Sequence, residues 1–263
     1  MNLYILVDIE GISGIYSSDQ AYPDGSRKSE AREFMTADIN ACADAAKEAG
    51  VDKVYVRDCH GTSYTLIYDK LSDSVDYCIC GYMGEPRLTG SDDCDAVILL
   101  GYHAMAGTLG GVLEHTFSSK NIQNYWLNGK KVGEAEIDAL YAGELGLPVI
   151  MVSGDDKLKD EIEEFLPNTI TCEVKRGMTW GGAIMLPQKK AHARIAECTK
   201  EAVRRFLAGE IKPHRIPGPY TLRVELCERG ILPFVGGDAR RKIIDGRTYE
   251  VTADTIAELF AIK

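Results

Sequence analysis

Carboxylate and imidazole side chains follow several apolar runs of this 263-residue sequence at the points where those runs end. Asp8 and Glu10 follow the run 3–7, while His60 and His103 follow two later runs. Asp8 and Glu10 are two positions apart, so their side chains point the same way from an extended backbone. If the runs are parallel strands, all four side chains meet at one sheet edge, where α/β proteins bind ligands.

These residue types are the ones that hold transition metals in proteins. Carboxylates together with imidazoles favour Zn, Mn, Co or Fe over Ca or Mg. Glu134, which follows Gly133 at a predicted helix start, is a fifth candidate ligand. Five ligands exceed the three that one catalytic zinc normally takes, and two ions ~3.5–4 Å apart fit better. Asp8 is the candidate for the ligand shared by both ions.

Each candidate ligand also has a structural interpretation. A buried Asp at a strand end caps the next turn, and a lone His is hydrogen bonded inside the protein. The convergence of several such residues is what favours a metal site.

His115 lies shortly beyond His103 in the glycine-containing segment 110–117. Beside a metal pair it would act as a general base or acid, or stabilise a charged intermediate. The alternative, a histidine on a surface loop, stays open. His192 and His214 are interpreted as solvent-exposed, and the pair Lys175–Arg176 is expected to face solvent rather than bind a substrate carboxylate.

The elements that must position these residues follow from the apolar pattern. Continuous apolar runs without alternation predict strands of a parallel sheet that is covered on both faces. Helical spacing between the strands then indicates βαβ units. The predicted strands are 3–7, 53–56, 96–100 and 149–152, and the predicted helices are 28–49 and 134–145.

The remaining parts of the chain predict further elements. Asn128-Gly129 predicts a type I′ turn in a hairpin over 125–132. An amphipathic helix is expected over 188–207, a proline-containing linker over 211–220, and two strands and a helix in the remainder: 221–227, 248–251 and 255–262. The fold class is therefore α/β, a mostly parallel sheet flanked by helices, with a smaller C-terminal α+β domain. We expect the boundary between residues 1–185 and 186–263.

Composition excludes several classes of protein. The chain has 30 Lys+Arg against 40 Asp+Glu, a net charge of −10, which argues against nucleic acid or an anionic membrane as partner. No run reaches the ~18 apolar residues of a transmembrane helix. The first residues lack the features of a signal peptide, so a cytoplasmic protein is expected. The 8 cysteines are scattered without a C-x-x-C pair and are expected to be free thiols.

Several of these segments together resemble peptidase family M55, the DppA-type zinc D-aminopeptidases. The resemblance extends over nearly the whole chain, in the family's order and spacing, through the segments 7–14, 58–60, 101–104, 133–134 and 153–156 and the segment around His115. It implies two Zn²⁺ ions per subunit. Asp8 would bridge them, Glu10 and His60 would complete one site, and His103 and Glu134 the other. It also implies that His115 is the catalytic histidine.

The same resemblance implies an activity and an assembly. Members hydrolyse short peptides that begin with a D-amino acid, such as D-Ala-containing peptides, by metal-activated water. They form large ring-like homo-oligomers, with a decamer as the candidate size. Cys59 departs from the family pattern, which has serine before the ligand histidine, and this neighbour would alter hydrogen bonding around the ligand.

Two other classes of function remain open at this stage. The ligand set would also serve another bimetallic amidohydrolase or a phosphoesterase. A phosphoesterase usually needs Arg or Lys near its metals, and none adjoins these motifs. A non-enzymatic scaffold with a structural metal is the third possibility, although structural zinc sites are usually rich in Cys.

Overall fold

Four apolar runs of the sequence lie side by side in one seven-stranded sheet. The computed structural model describes residues 1–61, 64–81, 87–233 and 238–262. The sheet order is β3-β2-β1-β4-β7-β8-β9, and all pairs are parallel except β8 with β9. Its strands are β1 (Asn2–Val7), β2 (Lys53–Asp58), β3 (Tyr77–Ile79), β4 (Ala96–Leu100), β7 (Val149–Asp155), β8 (Ile170–Thr179) and β9 (Gly182–Met185).

The three strands that precede the candidate ligands end at the same level. Val7, the last residue of β1, pairs with Asp58 of β2 on one side and with Leu100 of β4 on the other. The loops that follow therefore start from one line along the carboxyl edge of the sheet. This register is what brings distant parts of the sequence together.

Helices cover both faces of this sheet. The helices are α1 (Ser18–Ala21), α2 (Lys28–Glu48), α3 (Glu134–Glu144), α4 (Asp156–Phe165), α5 (Gln188–Leu207) and α6 (Ile256–Ile262). Ile39 of α2 and Ile195 of α5 share a buried cluster with Ile5 of β1. On the opposite face, Leu140 of α3 and Leu158 of α4 pack in a second buried cluster. Apolar side chains that alternate along each central strand supply both clusters.

A second, antiparallel sheet of five strands packs on the α3 side. Its order is β11-β12-β10-β5-β6, with β5 (Ile122–Leu127), β6 (Lys130–Val132), β10 (Tyr220–Leu226), β11 (Arg241–Ile243) and β12 (Thr248–Ala253). Asn128 and Gly129 join β5 to β6 with φ of 50° and 84°. Positive φ at both positions is what a type I′ turn requires, so the predicted hairpin is confirmed.

The structure confirms the predicted fold class: a mostly parallel sheet between helices, with additional α+β structure. The elements α1, β3, α4, β8, β9 and β11 were not predicted. Two strands of the second sheet, β5 and β6, come from residues 122–132, well before the expected boundary, and α5 packs against α2. The domain boundary at 185/186 stays a prediction. Within the residues that the structure covers, no helix is long and apolar enough to cross a membrane.

Candidate metal centre

All the predicted ligands and His115 lie together at the carboxyl edge of the parallel sheet. Ligand atoms of Asp8, Glu10 and His103 lie within 4.8 Å of one another, as do those of His103, His115 and Glu134. His60 joins the first group, with its Nε2 3.4 Å from Glu10 Oε1. His103 belongs to both groups. Which side chain would bridge two ions stays a prediction.

Close contact between the loops after β1 and β4 fixes Asp8 and Glu10. The Asp8 N–H donates to Leu100 O at 2.9 Å, and the Gly11 N–H donates to Gly101 O at 2.8 Å. A Cβ atom on Gly11 would lie 1.8 Å from Tyr102 O, so only glycine fits at this position. The two loops can therefore approach closely enough for their side chains to share a site.

The loop after β2 holds His60 through a buried carboxylate. Asp58 accepts hydrogen bonds from the backbone N–H groups of His60 at 3.0 Å and Thr65 at 2.6 Å. Asp58 is fully buried, and these hydrogen bonds hold the backbone of the loop that follows β2. His60 Nδ1 lies 3.4 Å from Thr65 Oγ1, which leaves Nε2 directed at Glu10.

His103 is oriented as a metal-binding histidine would be. Its Nδ1 lies 3.0 Å from the carbonyl oxygen of Ala104. A carbonyl only accepts, so Nδ1 carries the hydrogen and Nε2 is left to bind a proton or a cation. Nε2 lies 3.3 Å from Glu134 Oε1 and 3.5 Å from Asp8 Oδ2. Among the described atoms, neither His103 Nε2 nor Glu10 Oε2 has a hydrogen-bond partner, although both are buried.

Glu134 is the first residue of α3, where the helix dipole favours a negative charge. His115 stacks on His103 with ring centroids 4.1 Å apart, and its Nε2 lies 3.6 Å from Glu134 Oε1. The Nδ1 of His115 lies 2.9 Å from Leu113 O, so Nε2 is again the atom without a hydrogen. His115 therefore belongs to the site and is not an isolated surface histidine.

The buried carboxylates and imidazoles shift one another's proton affinity. Burial disfavours the charged form of Glu10, but the charge of His60 outweighs burial and holds the pKa of Glu10 well below its usual range. Burial also opposes the shift at Glu134, where contact with His103 lowers the pKa to about 2. Burial lowers the pKa of His60, but the nearby carboxylate of Glu10 has the larger opposite effect and raises that pKa to about 9. A divalent cation bound here would replace these protons as the source of positive charge.

The donor set fits a transition metal. Three carboxylates and two or three imidazoles surround a common space, and two of their buried atoms lack hydrogen-bond partners in the described structure. A buried polar atom without a partner costs about 1–3 kcal/mol, so such atoms indicate a missing interaction. Zinc, with its preference for nitrogen and carboxylate ligands, is compatible with this set.

The cluster lies at the floor of a cavity of about 370 Å³. Asp8, Glu10 and Glu134 are buried at the floor, whereas Asp24 and Lys120 line the cavity at exposed positions. The cavity therefore gives a small molecule access to the side chains that would hold a metal.

Arg87 also lines the cavity, and sequence analysis did not place it there. Its Nε and Nη2 donate to the two carboxylate oxygens of Asp138 at 2.7 and 2.8 Å, and Nη2 lies 3.7 Å from Glu134 Oε2. Asp138 and Glu134 are four residues apart on α3, so they share one helix face. The four-residue spacing between Glu134 and Asp138 is a sequence signal that could have placed Asp138 near the site. A buried carboxylate there would in turn have indicated a cationic partner, which is Arg87.

Lys175 contradicts the prediction that it faces solvent. It is 2% exposed, and its ammonium donates to the backbone carbonyls of Glu10, Ile12 and Ile15, the last two at 2.9 and 2.7 Å. Burial lowers the pKa of Lys175 to about 8. The lysine therefore fixes the loop that carries Glu10. Arg176 is exposed, as predicted.

His192 and His214 are half-buried rather than fully exposed. His192 Nε2 lies 3.2 Å from Oδ1 of the buried Asp38, which accepts from the N–H and hydroxyl of Ser13. The ring of His214 packs against Phe165, with centroids 4.8 Å apart.

Replacing Lys175 by methionine is expected to lower the free energy of unfolding by about 3 kcal/mol, because three buried carbonyls lose a charged donor. Urea unfolding followed by circular dichroism would measure the loss. Arg176→Met is the matched control, since the exposed Arg176 forms an ion pair with Glu173 at the surface, and it should cost less than about 0.5 kcal/mol. Equal losses in the two variants would contradict the role given to Lys175.

The fold and the geometry of the site together indicate a class of enzyme. An α/β sheet whose carboxyl edge gathers carboxylates and imidazoles in an accessible cavity is typical of metallohydrolases.

Three comparisons with known proteins identify the family. The family model of peptidase family M55, D-aminopeptidase, matches residues 1–263. A D-aminopeptidase of Bacillus subtilis (strain 168) is 32% identical over 233 residues, which are 88% of this chain and 83% of that relative.

A solved structure agrees with this assignment. The structure of the Zn-dependent D-aminopeptidase DppA from Bacillus subtilis, described as a self-compartmentalizing protease, superimposes with a TM-score of 0.92. The two are 29% identical, and the match covers 99% of this chain and 94% of that one. The chain therefore belongs to peptidase family M55, the D-aminopeptidases, and is a hydrolase that acts on peptide bonds.

Proposed function

We propose that this chain is a dinuclear-zinc aminopeptidase that hydrolyses short peptides with an N-terminal D-amino acid, such as D-Ala-containing peptides. Its relative DppA is Zn-dependent, and the described donor set suits zinc. The proposed ligands of the two ions are Asp8, Glu10, His60, His103 and Glu134. The observation that carries the proposal is the pair of buried atoms, His103 Nε2 and Glu10 Oε2, that lack partners in the described part of the chain and lie in this cluster.

The chain's own residues account for the other parts of amide hydrolysis. Zinc bound here would supply a water of lowered pKa and polarise the scissile carbonyl. His115 Nε2 would take the proton of the attacking water and return it to the leaving amine, because Leu113 O holds the hydrogen on Nδ1.

We also propose that the chain assembles into a large homo-oligomer, for which a decamer is the candidate size. The support is that DppA is described as self-compartmentalizing. Enclosed sites would admit short peptides and exclude folded proteins. Size-exclusion chromatography with light scattering would give the number of subunits.

Removal of metal is expected to abolish peptidase activity. Dialysis against a chelator should reduce hydrolysis of D-Ala-D-Ala by at least about a hundredfold, and adding zinc should restore it, because water activation needs the metal. Plasma mass spectrometry should find two zinc ions per chain before dialysis. Circular dichroism should show that the dialysed protein stays folded.

Substrate comparison separates this proposal from the alternatives. L-Ala-L-Ala should be cleaved poorly, and p-nitrophenyl phosphate should not be cleaved. Arg87, the described guanidinium in the cavity, is already paired with Asp138, so it offers little to a phosphoryl group. Phosphatase activity without peptide cleavage would contradict the proposed function, and zinc without any hydrolysis would favour a scaffold.

A further inference from the structure

We propose that Lys120 binds the C-terminal carboxylate of the substrate, so that the enzyme prefers very short peptides with a free carboxyl end. This proposal rests on the proposed function and identifies what the outer part of the same cavity recognises. Lys120 lines the cavity and is exposed, whereas the candidate metal ligands lie buried at its floor.

The burial gradient sets the direction of the substrate. An aminopeptidase cleaves the first peptide bond, so the amino end must lie at the buried floor and the rest of the peptide must extend toward the exposed residues. In a dipeptide the Cα atom that bears the carboxylate lies only about 3.8 Å from the Cα atom of the first residue. The carboxylate of a very short peptide would therefore lie within the same cavity of about 370 Å³, on the side away from the buried cluster.

The charges along the cavity differ between floor and mouth. The carboxylates Asp8, Glu10 and Glu134 at the floor are proposed zinc ligands, so bound ions would balance their charge and the peptide's carboxylate must be recognised elsewhere in the cavity. Two arginine or lysine side chains are found in the described lining, Arg87 and Lys120. The guanidinium of Arg87 already donates two hydrogen bonds to the carboxylate of Asp138. Lys120 has no carboxylate within 4.0 Å among the residues that the structure covers, so its charge is available to a ligand.

Asp24 is the other charged residue at the exposed end of the cavity. The mouth therefore carries one charge of each sign, and a substrate carboxylate would be drawn to the side of Lys120. Because one side of the mouth is negative and the other positive, a bound peptide would have its carboxylate on the Lys120 side.

The backbone turn that carries Lys120 is attached to the metal centre. The Phe117 N–H donates to Glu134 Oε1 at 2.5 Å, and the Ile122 N–H donates to Ser118 O at 3.0 Å. Phe117 has a φ of 58°, which is uncommon and strained for a residue other than glycine. Tyr22 OH lies 3.2 Å from Ser119 Oγ and supports the turn from the other side. The base of Lys120 is thus held in a fixed position relative to Glu134, as a length-selecting contact requires.

Replacing Lys120 by methionine and comparing two substrates would test this assignment. D-Ala-D-Ala carries the carboxylate, and its C-terminal amide lacks it. In Lys120→Met the KM for D-Ala-D-Ala should rise about fivefold with little change in kcat, while the KM for the amide should stay the same. Lys120→Arg should retain the wild-type preference, and Lys120→Glu should raise the KM for D-Ala-D-Ala further.

Lys189→Met is the matched control, because Lys189 is an exposed lysine on α5 and does not line the cavity. It should behave as wild type with both substrates. Equal changes for the acid and the amide in Lys120→Met, or no change for either, would overturn the role of Lys120. If the wild type cleaves neither substrate, the proposed function is wrong instead, so the two failures are distinguishable.

Discussion

Replacing Asp8 by asparagine is expected to remove both zinc ions and to reduce hydrolysis of D-Ala-D-Ala by at least about a thousandfold. Asp8 is 4% exposed, and its Oδ2 lies 3.5 Å from His103 Nε2. Its Oδ1 accepts from the N–H of Ile9 at 2.9 Å, so the carboxylate has a fixed orientation. Asparagine has the same size, but it lacks the negative charge and would direct an amide donor or a weaker oxygen at the ions. A shared ligand affects both sites at once.

Zinc content measured by plasma mass spectrometry is the direct readout for Asp8→Asn. Asp155→Asn is the matched control, because Asp155 is 2% exposed and ends β7 at the same edge of the sheet. Its carboxylate caps α4 by accepting from the N–H groups of Lys157 and Leu158. The control should lose about 1 kcal/mol of stability and keep its zinc. An Asp8→Asn protein with two zinc ions would contradict the proposed bridge.

The central sheet was predictable because its strands are buried on both faces. The runs 3–7 and 96–100 are continuously apolar, and the structure finds every residue of them fully buried. Burial on both faces leaves a signal in each strand's own sequence. β8 lacks that signal, since Glu173, Arg176 and Met178 stand among its buried residues. α4 was missed for a similar reason, because its only buried residues are Leu158 and Ile162.

The grouping of the candidate ligands was predictable from topology. Parallel strands that end at the same level place the residues that follow them at one edge of the sheet. Asp8, His60 and His103 could therefore be grouped from the sequence alone. Lys175 and Arg87 could not be grouped in this way. Lys175 reaches the site because β8 lies far from β1 in sequence but close to the loop after it in space. No local pattern marks such a contact, and an isolated lysine is usually exposed.

Replacing His115 by alanine is expected to reduce kcat for D-Ala-D-Ala by about 10²- to 10⁴-fold while zinc content and KM change little. The hydrogen on Nδ1 is held by Leu113 O at 2.9 Å, so Nε2 is the basic nitrogen that faces the site. The ring stacks on His103, which fixes its plane. A base held in this way can move a proton between water and the leaving amine without reorienting.

The geometry leaves one competing role for His115 that the same variant decides. Its ligand atom lies within 4.8 Å of those of His103 and Glu134, so it could bind a metal itself. A proton-transfer role leaves two zinc ions in His115→Ala, whereas a ligand role lowers the zinc content along with turnover. His214→Ala is the control, because His214 packs against Phe165 and does not line the cavity, and it should retain kcat. Normal turnover in His115→Ala would exclude both roles, because a base and a ligand are each needed in every catalytic cycle.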